Sequence, residues 1–188
     1  MDEGADKRSV QEFMRAPSAV PHPWTWIGSG SMGGKAGGLV AINDVLGGEF
    51  TPWNIDVRIP AFTVIRTDVF DAFLDRNNLR EVPFADSPDD VIAQAFQRAS
   101  LPAEILGDLR SLVAKLHTPM AVRSSSLLED ALNEPFAGVY TTKMIPNNQP
   151  EADVRFQKLM EAIKLVYASV FFTSARDYIR ATGRNPRD

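Results

Sequence analysis

The chain has 188 residues, of which 44% are hydrophobic and 23% charged, as in an ordinary globular protein rather than a disordered chain. Its net charge of −4 argues against a surface that attracts nucleic acid or anionic lipid. Cys is absent, which excludes disulfides and thiolate chemistry. The acidic N-terminus carries no secretory signal and no apolar stretch is long enough to cross a membrane, so we expect a cytoplasmic protein without a membrane partner.

Prolines interrupt the N-terminal region, which we predict to be an arm over residues 1–26. Trp24 and Trp26 are expected to anchor the end of this arm on the core, because each can bury a large aromatic surface. The domain itself is predicted over residues 27–188.

A glycine-rich segment, GSGSMGGKAGG, occupies residues 28–38 and leads into apolar residues at helical spacing. Gly47 and Gly48 are predicted to end that helix. The unpaired N–H groups at a helix N-terminus attract anions, and glycines let a phosphate approach the backbone. Lys35 lies in the first turn, where its charge opposes the helix dipole unless an anion is bound. The alternative is a surface turn with a solvated lysine.

Two familiar nucleotide-binding motifs partly match this segment. Residues 28–33 have the letters of the dinucleotide-binding turn G-x-G-x-x-G, which requires a buried strand directly before it. Pro21 and Pro23 leave little room for such a strand, so we interpret the match as accidental. A P-loop fails because Ser29 replaces a required glycine and Ala36 replaces the hydroxyl after the lysine.

Residues 57–67 are rich in β-branched and aromatic residues and predict a strand. Thr67 is predicted to be the N-cap of the next helix, whose first turn carries Asp68 and Asp71. Further elements are predicted downstream: helices over 87–99 (opening on a capping box at Ser87) and 102–116, strands within 120–126 and 136–146, and a helical region over 151–180 that restarts at Thr173 or Ser174. This order predicts an α+β fold with a small mixed sheet and flanking helices.

The segment Arg123-Ser124-Ser125-Ser126 follows a short apolar strand. Arginine presents a rigid fork of donors that suits phosphate, and serine hydroxyls can complete such a cradle. Glu129 and Asp130 follow closely, either as ion-pair partners that fix the loop or as groups that orient Arg123 toward a ligand.

The two histidines, His22 and His117, lie at positions that favour structural or solvated roles. No spacing of histidines or carboxylates suggests a metal site, so we expect no metal ligands in this chain.

Four segments in a fixed order resemble the start of phosphoenolpyruvate synthase and pyruvate phosphate dikinase. Rifampin phosphotransferases share the same nucleotide-binding module. The resemblance extends from Ile27 to Arg180, and its most specific part is AVRSSSLLED followed by FAG. The four segments are GGKAGGL, VRIPAFTVIRTDVFDAF, MAVRSSSLLEDALNEPFAGVYTT and EAIKLVYASVFFTSARDYIR.

The resemblance implies the first lobe of an ATP-grasp module. Lys35 and Arg123 match the residues that contact the nucleotide phosphates, and they are the implied catalytic residues. Thr142 matches a threonine near the nucleotide. Gly33, Gly34 and Ser124 complete the implied nucleotide-binding set.

The resemblance also implies that ATP phosphorylates a histidine on a separate domain, which passes the phosphoryl group to pyruvate or a related acceptor. Mg²⁺ would be required, with ligands expected in a second ATP-grasp lobe following residue 188. We therefore expect the chain alone to bind nucleotide weakly without turnover. One alternative is a non-catalytic, nucleotide-sensing regulatory domain. Another is a dinucleotide binder, which a structure lacking a strand before Gly28 would exclude.

Overall fold

The computed structural model describes residues 11–12, 24–46, 59–80, 86–125 and 139–181. Within these ranges it contains the following strands and helices in chain order: β1 Gln11–Glu12, β2 Trp24–Ile27, α1 Gly34–Leu46, β3 Phe62–Ile65, α2 Thr67–Arg76, α3 Asp89–Arg98, α4 Ala103–Lys115, β4 Met120–Val122, β5 Lys143–Ile145, α5 Ala152–Ser169 and α6 Thr173–Ala181. Among them, no helix combines the length and apolar character needed to cross a membrane.

Strands β1, β2 and β3 form a parallel sheet in that order. Trp24 pairs with Phe62, and their rings stack at 5.9 Å between centroids. The next pair, Thr25 and Thr63, shares a hydroxyl hydrogen bond of 3.0 Å. These cross-strand contacts stabilise strands that are only four residues long. Because β2 and β3 are parallel, both end at the same edge of the sheet, with α1 between them in the chain.

The strand β2 contradicts the expectation that no strand precedes the glycine-rich segment, and its first three residues belong to the predicted arm over residues 1–26. Trp, Thr and Ile favour extended backbone, and four residues after Pro23 are sufficient once β3 supplies a partner. The two residues of β1 also lie in the predicted arm. The rest of residues 1–23 lies outside the described ranges.

Helices α3, α4 and α5 enclose the main core together with α2. Its fully buried side chains include Phe73, Phe96, Ile92, Leu109 and Val113. The rings of Phe73 and Phe96 lie 5.7 Å apart, and Tyr167 of α5 lies 5.4 Å from Phe73. This helical layer and the small sheets confirm the predicted α+β class.

Several element boundaries match the prediction and others do not. Helix α1 ends at Leu46, α4 differs from its predicted span by one residue at each end, and α6 begins at Thr173 as predicted. The predicted strand over 57–67 is shorter, since residues 59–61 are not extended into the sheet and 57–58 lie outside the described ranges. Of the predicted strand over 136–146, the structure describes residues 139–146, and within these Lys143–Ile145 form a strand.

The reason for the short β5 is visible in its approach segment. The Ser169 hydroxyl accepts a hydrogen bond from the Thr141 N–H at 3.1 Å, and the Ser174 hydroxyl donates to the Val139 carbonyl at 3.4 Å. These backbone groups bond to α5 and α6 rather than to a neighbouring strand, so the segment 139–142 cannot extend the sheet.

Two predicted helix caps are wrong. Thr67 is the first residue of α2, and Arg66 occupies the N-cap position without a side-chain capping bond. Pro88 occupies the N-cap position of α3, so the capping box at Ser87 does not form. Leu39 and Ile42, two of the apolar residues whose helical spacing predicted α1, are 37% and 51% exposed.

Replacing Phe96 tests the aromatic core. Phe96→Ala should lower the free energy of unfolding by about 3–5 kcal/mol, because it removes a fully buried ring and leaves a cavity. Val91→Ala on the same helix is the control: Val91 is 47% exposed, and the expected change is within about 0.5 kcal/mol. Urea denaturation followed by circular dichroism measures both, and equal losses would contradict this packing.

Candidate functional site

The glycine-rich loop begins where β2 ends and leads directly into α1. Gly28 and Gly33 have φ angles of +94° and +76°, which glycine adopts far more readily than other residues. The loop therefore turns the chain sharply away from the sheet and presents the N-terminus of α1 at the carboxyl edge of β2 and β3, the usual ligand-binding edge of parallel strands.

The first half of the loop is held by Thr67 and Asp68, which follow β3. The Asp68 carboxylate accepts the N–H groups of Ser29 at 2.9 Å and Gly30 at 2.8 Å, and the Ser29 hydroxyl at 3.1 Å. The Thr67 hydroxyl accepts the Ser31 N–H at 3.0 Å, and the Thr67 N–H donates to the Ser31 carbonyl at 3.0 Å. The backbone of residues 29–31 is thus fixed against the start of α2.

The contacts around Asp68 leave no space for a side chain at Gly28 or Gly30. A Cβ at Gly28 would lie 2.6 Å from an Asp68 oxygen, and one at Gly30 would lie 2.5 Å from the Thr67 hydroxyl oxygen.

Burial would raise the pKa of Asp68, but the hydrogen bonds from Ser29 and Gly30 outweigh this effect and lower the pKa from its ordinary value. The carboxylate is therefore charged near neutral pH.

Arg66 completes the support of this loop. Its guanidinium lies 4.3 Å from the centre of the Trp26 ring and donates to the Ser29 carbonyl at 3.3 Å. The cation stacked on the ring is held in one orientation, so β2, β3 and the loop are tied together by a single side chain.

The second half of the loop is held by Ser125. Its hydroxyl accepts the Ala36 N–H at 2.9 Å and donates to the Met32 carbonyl at 2.9 Å. The hydroxyl therefore caps α1 from a segment 89 residues away along the chain. Gly33 lies against the same residue so closely that a Cβ would overlap the Ser125 carbonyl oxygen.

Ser125 also brings the segment that contains Arg123 and Ser124 close to the glycine-rich loop. Arg123 and Ser124 directly follow β4, and Arg123 is exposed. Strands β4 and β5 are antiparallel, with Val122 paired to Lys143. Thr142 directly precedes β5 in the chain and is also exposed.

The six predicted site residues come from three segments, and the first two of these meet at the N-terminus of α1 through Ser125. Gly33, Gly34 and Lys35 form the end of the loop and the first turn of the helix, and Lys35 is half-buried. Arg123 and Ser124 directly precede Ser125 in the chain, and Thr142 directly precedes β5, the strand that pairs with β4. Glu129 and Asp130, like Ser126, lie outside the described residues.

Sequence reasoning missed the supporting roles of Arg66, Thr67, Asp68 and Ser125. One signal for the first three was available: they follow a strand parallel to the one that precedes the glycine loop, so both segments must meet at one sheet edge. The role of Ser125 depends on a contact between distant segments, which no local pattern contains.

The donors at this point suit an anionic ligand. The Gly34 N–H in the first turn of α1, the cations Lys35 and Arg123, and the hydroxyls of Ser124 and Thr142 can all donate to phosphate oxygens. For a divalent cation the described residues offer less, since they contain no group of three or more His, Asp or Glu side chains able to hold a metal ion.

A family model described as pyruvate phosphate dikinase, AMP/ATP-binding domain, matches residues 29–188. The chain belongs to this family. It is the AMP/ATP-binding part of a pyruvate phosphate dikinase-like enzyme, and its α+β architecture fits the ATP-grasp assignment. Searches of curated proteins and of solved structures found no match.

The structure and the family match both bear on the alternative that the loop binds a dinucleotide. The strand before Gly28 means that this alternative is not excluded in the way expected from the sequence. The hydrogen bonds of the loop argue against a dinucleotide site. The N–H groups of Ser29, Gly30 and Ser31 donate to Asp68 and Thr67, whereas a dinucleotide pyrophosphate requires such groups as donors. The family match agrees with this result.

Two glycine substitutions should have opposite effects. Gly33→Ala places a Cβ at positive φ against the Ser125 carbonyl and should destabilise the fold by about 1–3 kcal/mol. Gly37→Ala lies one turn into α1, where the added Cβ would meet no described atom within 4 Å. This substitution should stabilise the fold by about 0.5–1 kcal/mol. Urea denaturation of the two variants gives the comparison. Equal effects of the two substitutions would show that Gly33 does not lie against Ser125.

Proposed function

We propose that the N-terminus of α1 binds the phosphates of ATP and that the chain is the nucleotide-binding lobe of a phosphotransferase that phosphorylates a histidine. The observation that carries this proposal is the double hydrogen bond of Ser125, which joins the glycine loop to the Arg123 segment. This contact supports the proposal that Lys35 and Arg123 act on the same ligand together with the backbone donors of the loop, as a tri-anionic or tetra-anionic ligand requires.

The residues have distinct roles in this proposal. Lys35 and Arg123 neutralise the phosphate charge and act as the catalytic residues, because phosphoryl transfer depends mainly on positioning and charge stabilisation. Gly33 permits the close approach of backbone segments, and Gly34 donates its N–H. Ser124 and Thr142 donate hydroxyl hydrogen bonds that fix the phosphate chain.

Mg²⁺ would share the charge of the phosphates when bound with ATP. The described residues contain no metal-binding cluster, so the proposal assigns its ligands to the second lobe of the ATP-grasp module. The phosphoryl group is then transferred to a histidine nitrogen of a separate phosphohistidine domain, and from there to pyruvate or a related acceptor. The domain assigned to this function is the predicted one, over residues 27–188.

Removing either cation should weaken ATP binding. Lys35→Ala and Arg123→Ala should each raise the Kd for ATP by about tenfold or more, since a charge-assisted hydrogen bond contributes about 1.5–3 kcal/mol. Lys158→Ala and Arg98→Ala are the matched controls, because both residues lie on helices away from α1. Isothermal titration calorimetry measures the four variants, and unchanged affinity in both site variants would contradict the assignment.

The 188-residue chain alone should bind ATP without turning it over. Incubation with ATP and Mg²⁺ should release no phosphate and label no residue, whereas adding the second lobe and a histidine domain in trans should yield an acid-labile phosphohistidine. Hydrolysis or autophosphorylation by the chain alone would contradict this prediction. Binding without transfer, even with those domains present, would instead favour a nucleotide-sensing function.

A further inference from the structure

A carboxylate occupies the glycine loop of a site proposed to bind phosphates. Asp68 accepts three hydrogen bonds from Ser29 and Gly30, which lie 39 and 38 residues earlier in the chain, respectively. An acid in the first turn of α2 interacts favourably with that helix dipole, but the dipole alone does not require contacts with a distant loop. The carboxylate holds the same type of N–H group that a phosphate would otherwise bind.

The N–H groups of the loop divide into those that donate to an acceptor in the protein and those that do not. Those of Ser29 and Gly30 donate to Asp68, and that of Ser31 donates to Thr67. The N–H of Ala36 donates to Ser125. Among the residues that the structure describes, Met32 and Gly34 are the loop positions between them whose N–H groups meet no acceptor.

We propose that Asp68 is a positioning residue for nucleotide binding: it occupies the N–H groups of Ser29 and Gly30 and thereby directs the phosphate to Met32 and Gly34, beside Lys35. This inference rests on the proposed function, since it requires that α1 binds phosphate. The loop then binds one phosphate group at the helix N-terminus instead of wrapping a diphosphate along its whole length.

Charge and geometry both support this division. Asp68 is negatively charged, so it repels a phosphate from the first half of the loop while its hydrogen bonds satisfy the donors there. Lys35 and the first turn of α1 attract a phosphate to the second half. The supporting contacts of Thr67 and Arg66 hold residues 29–31 from the same side as Asp68, so this half of the loop has one fixed conformation.

Amide chemical shifts in the wild-type chain provide the first test. Titration with sodium triphosphate, followed by ¹H–¹⁵N correlation spectra, should shift the amide signals of Met32 and Gly34 progressively. The signals of Ser29 and Gly30 should stay within the shift range of residues remote from α1. If Ser29 and Gly30 respond most strongly, the proposed role of Asp68 is wrong.

The variant Asp68→Asn provides the second test. Asparagine keeps one acceptor oxygen but presents N–H donors in place of the second, so the N–H of either Ser29 or Gly30 loses its acceptor and this half of the loop is loosened. The Kd for triphosphate should rise about tenfold, the equivalent of one lost charge-assisted hydrogen bond, and Ser29 and Gly30 should now respond to the ligand. Asp68→Glu, which keeps the carboxylate, should restore part of the affinity.

Asp71→Asn is the matched control, because Asp71 lies one turn along the same helix and pairs with Arg80 at 3.1 Å on the surface. It should retain the wild-type affinity and amide pattern. Equal losses in Asp68→Asn and Asp71→Asn, or no loss in Asp68→Asn, would overturn the inference. If Asp68→Asn fails to fold, the wild-type titration still decides.

The outcomes separate this inference from the proposed function. Failure of the wild-type chain to bind ATP or triphosphate, or normal binding by both Lys35→Ala and Arg123→Ala, removes the proposed function and this inference with it. Weakened binding in those two variants, combined with a normal Asp68→Asn, leaves the proposed function intact and removes only the role of Asp68.

Discussion

The candidate site depends on one hydroxyl group. Ser125 both caps α1 and binds the Met32 carbonyl, so the helix, the glycine loop and the β4–β5 ribbon share a single junction. Farther along the helix, Leu39 and Ile42 are exposed, and a Cβ added at Gly37 or Gly38 would meet no described atom within 4 Å. The direction in which α1 presents its N-terminus is therefore set at its first turn.

Local charge placement matters more here than net charge. The chain is acidic overall, yet the N-terminus of α1 combines the helix dipole with Lys35, and the neighbouring ribbon adds Arg123. The acid closest to the loop, Asp68, is bound to backbone N–H groups, and its lowered pKa reflects those bonds. A site for an anion can thus be built on a negatively charged protein from a few fixed groups.

Residue patterns predicted the elements whose stability is local. The end of α1 at Leu46, the span of α4 and the restart of α6 at Thr173 all follow from helical spacing and terminating residues. The strand β2 was missed because its stability comes from pairing with β3, and Thr67 was misassigned because its hydroxyl bonds to Ser31 instead of its own helix. For the site, the family resemblance predicted Lys35 and Arg123, whereas the contacts of Asp68 and Ser125 join distant segments and have no local signature.

The cap from Ser125 has a consequence for the order in which the protein assembles. A helix that contains Gly37 and Gly38 has low intrinsic stability, and its cap arrives from 89 residues later in the sequence. Closing so long a segment carries an entropic cost that local contacts cannot offset early in folding. During synthesis, the glycine loop therefore leaves the ribosome well before the residue that completes it, and nucleotide recognition becomes a late property of the nascent chain.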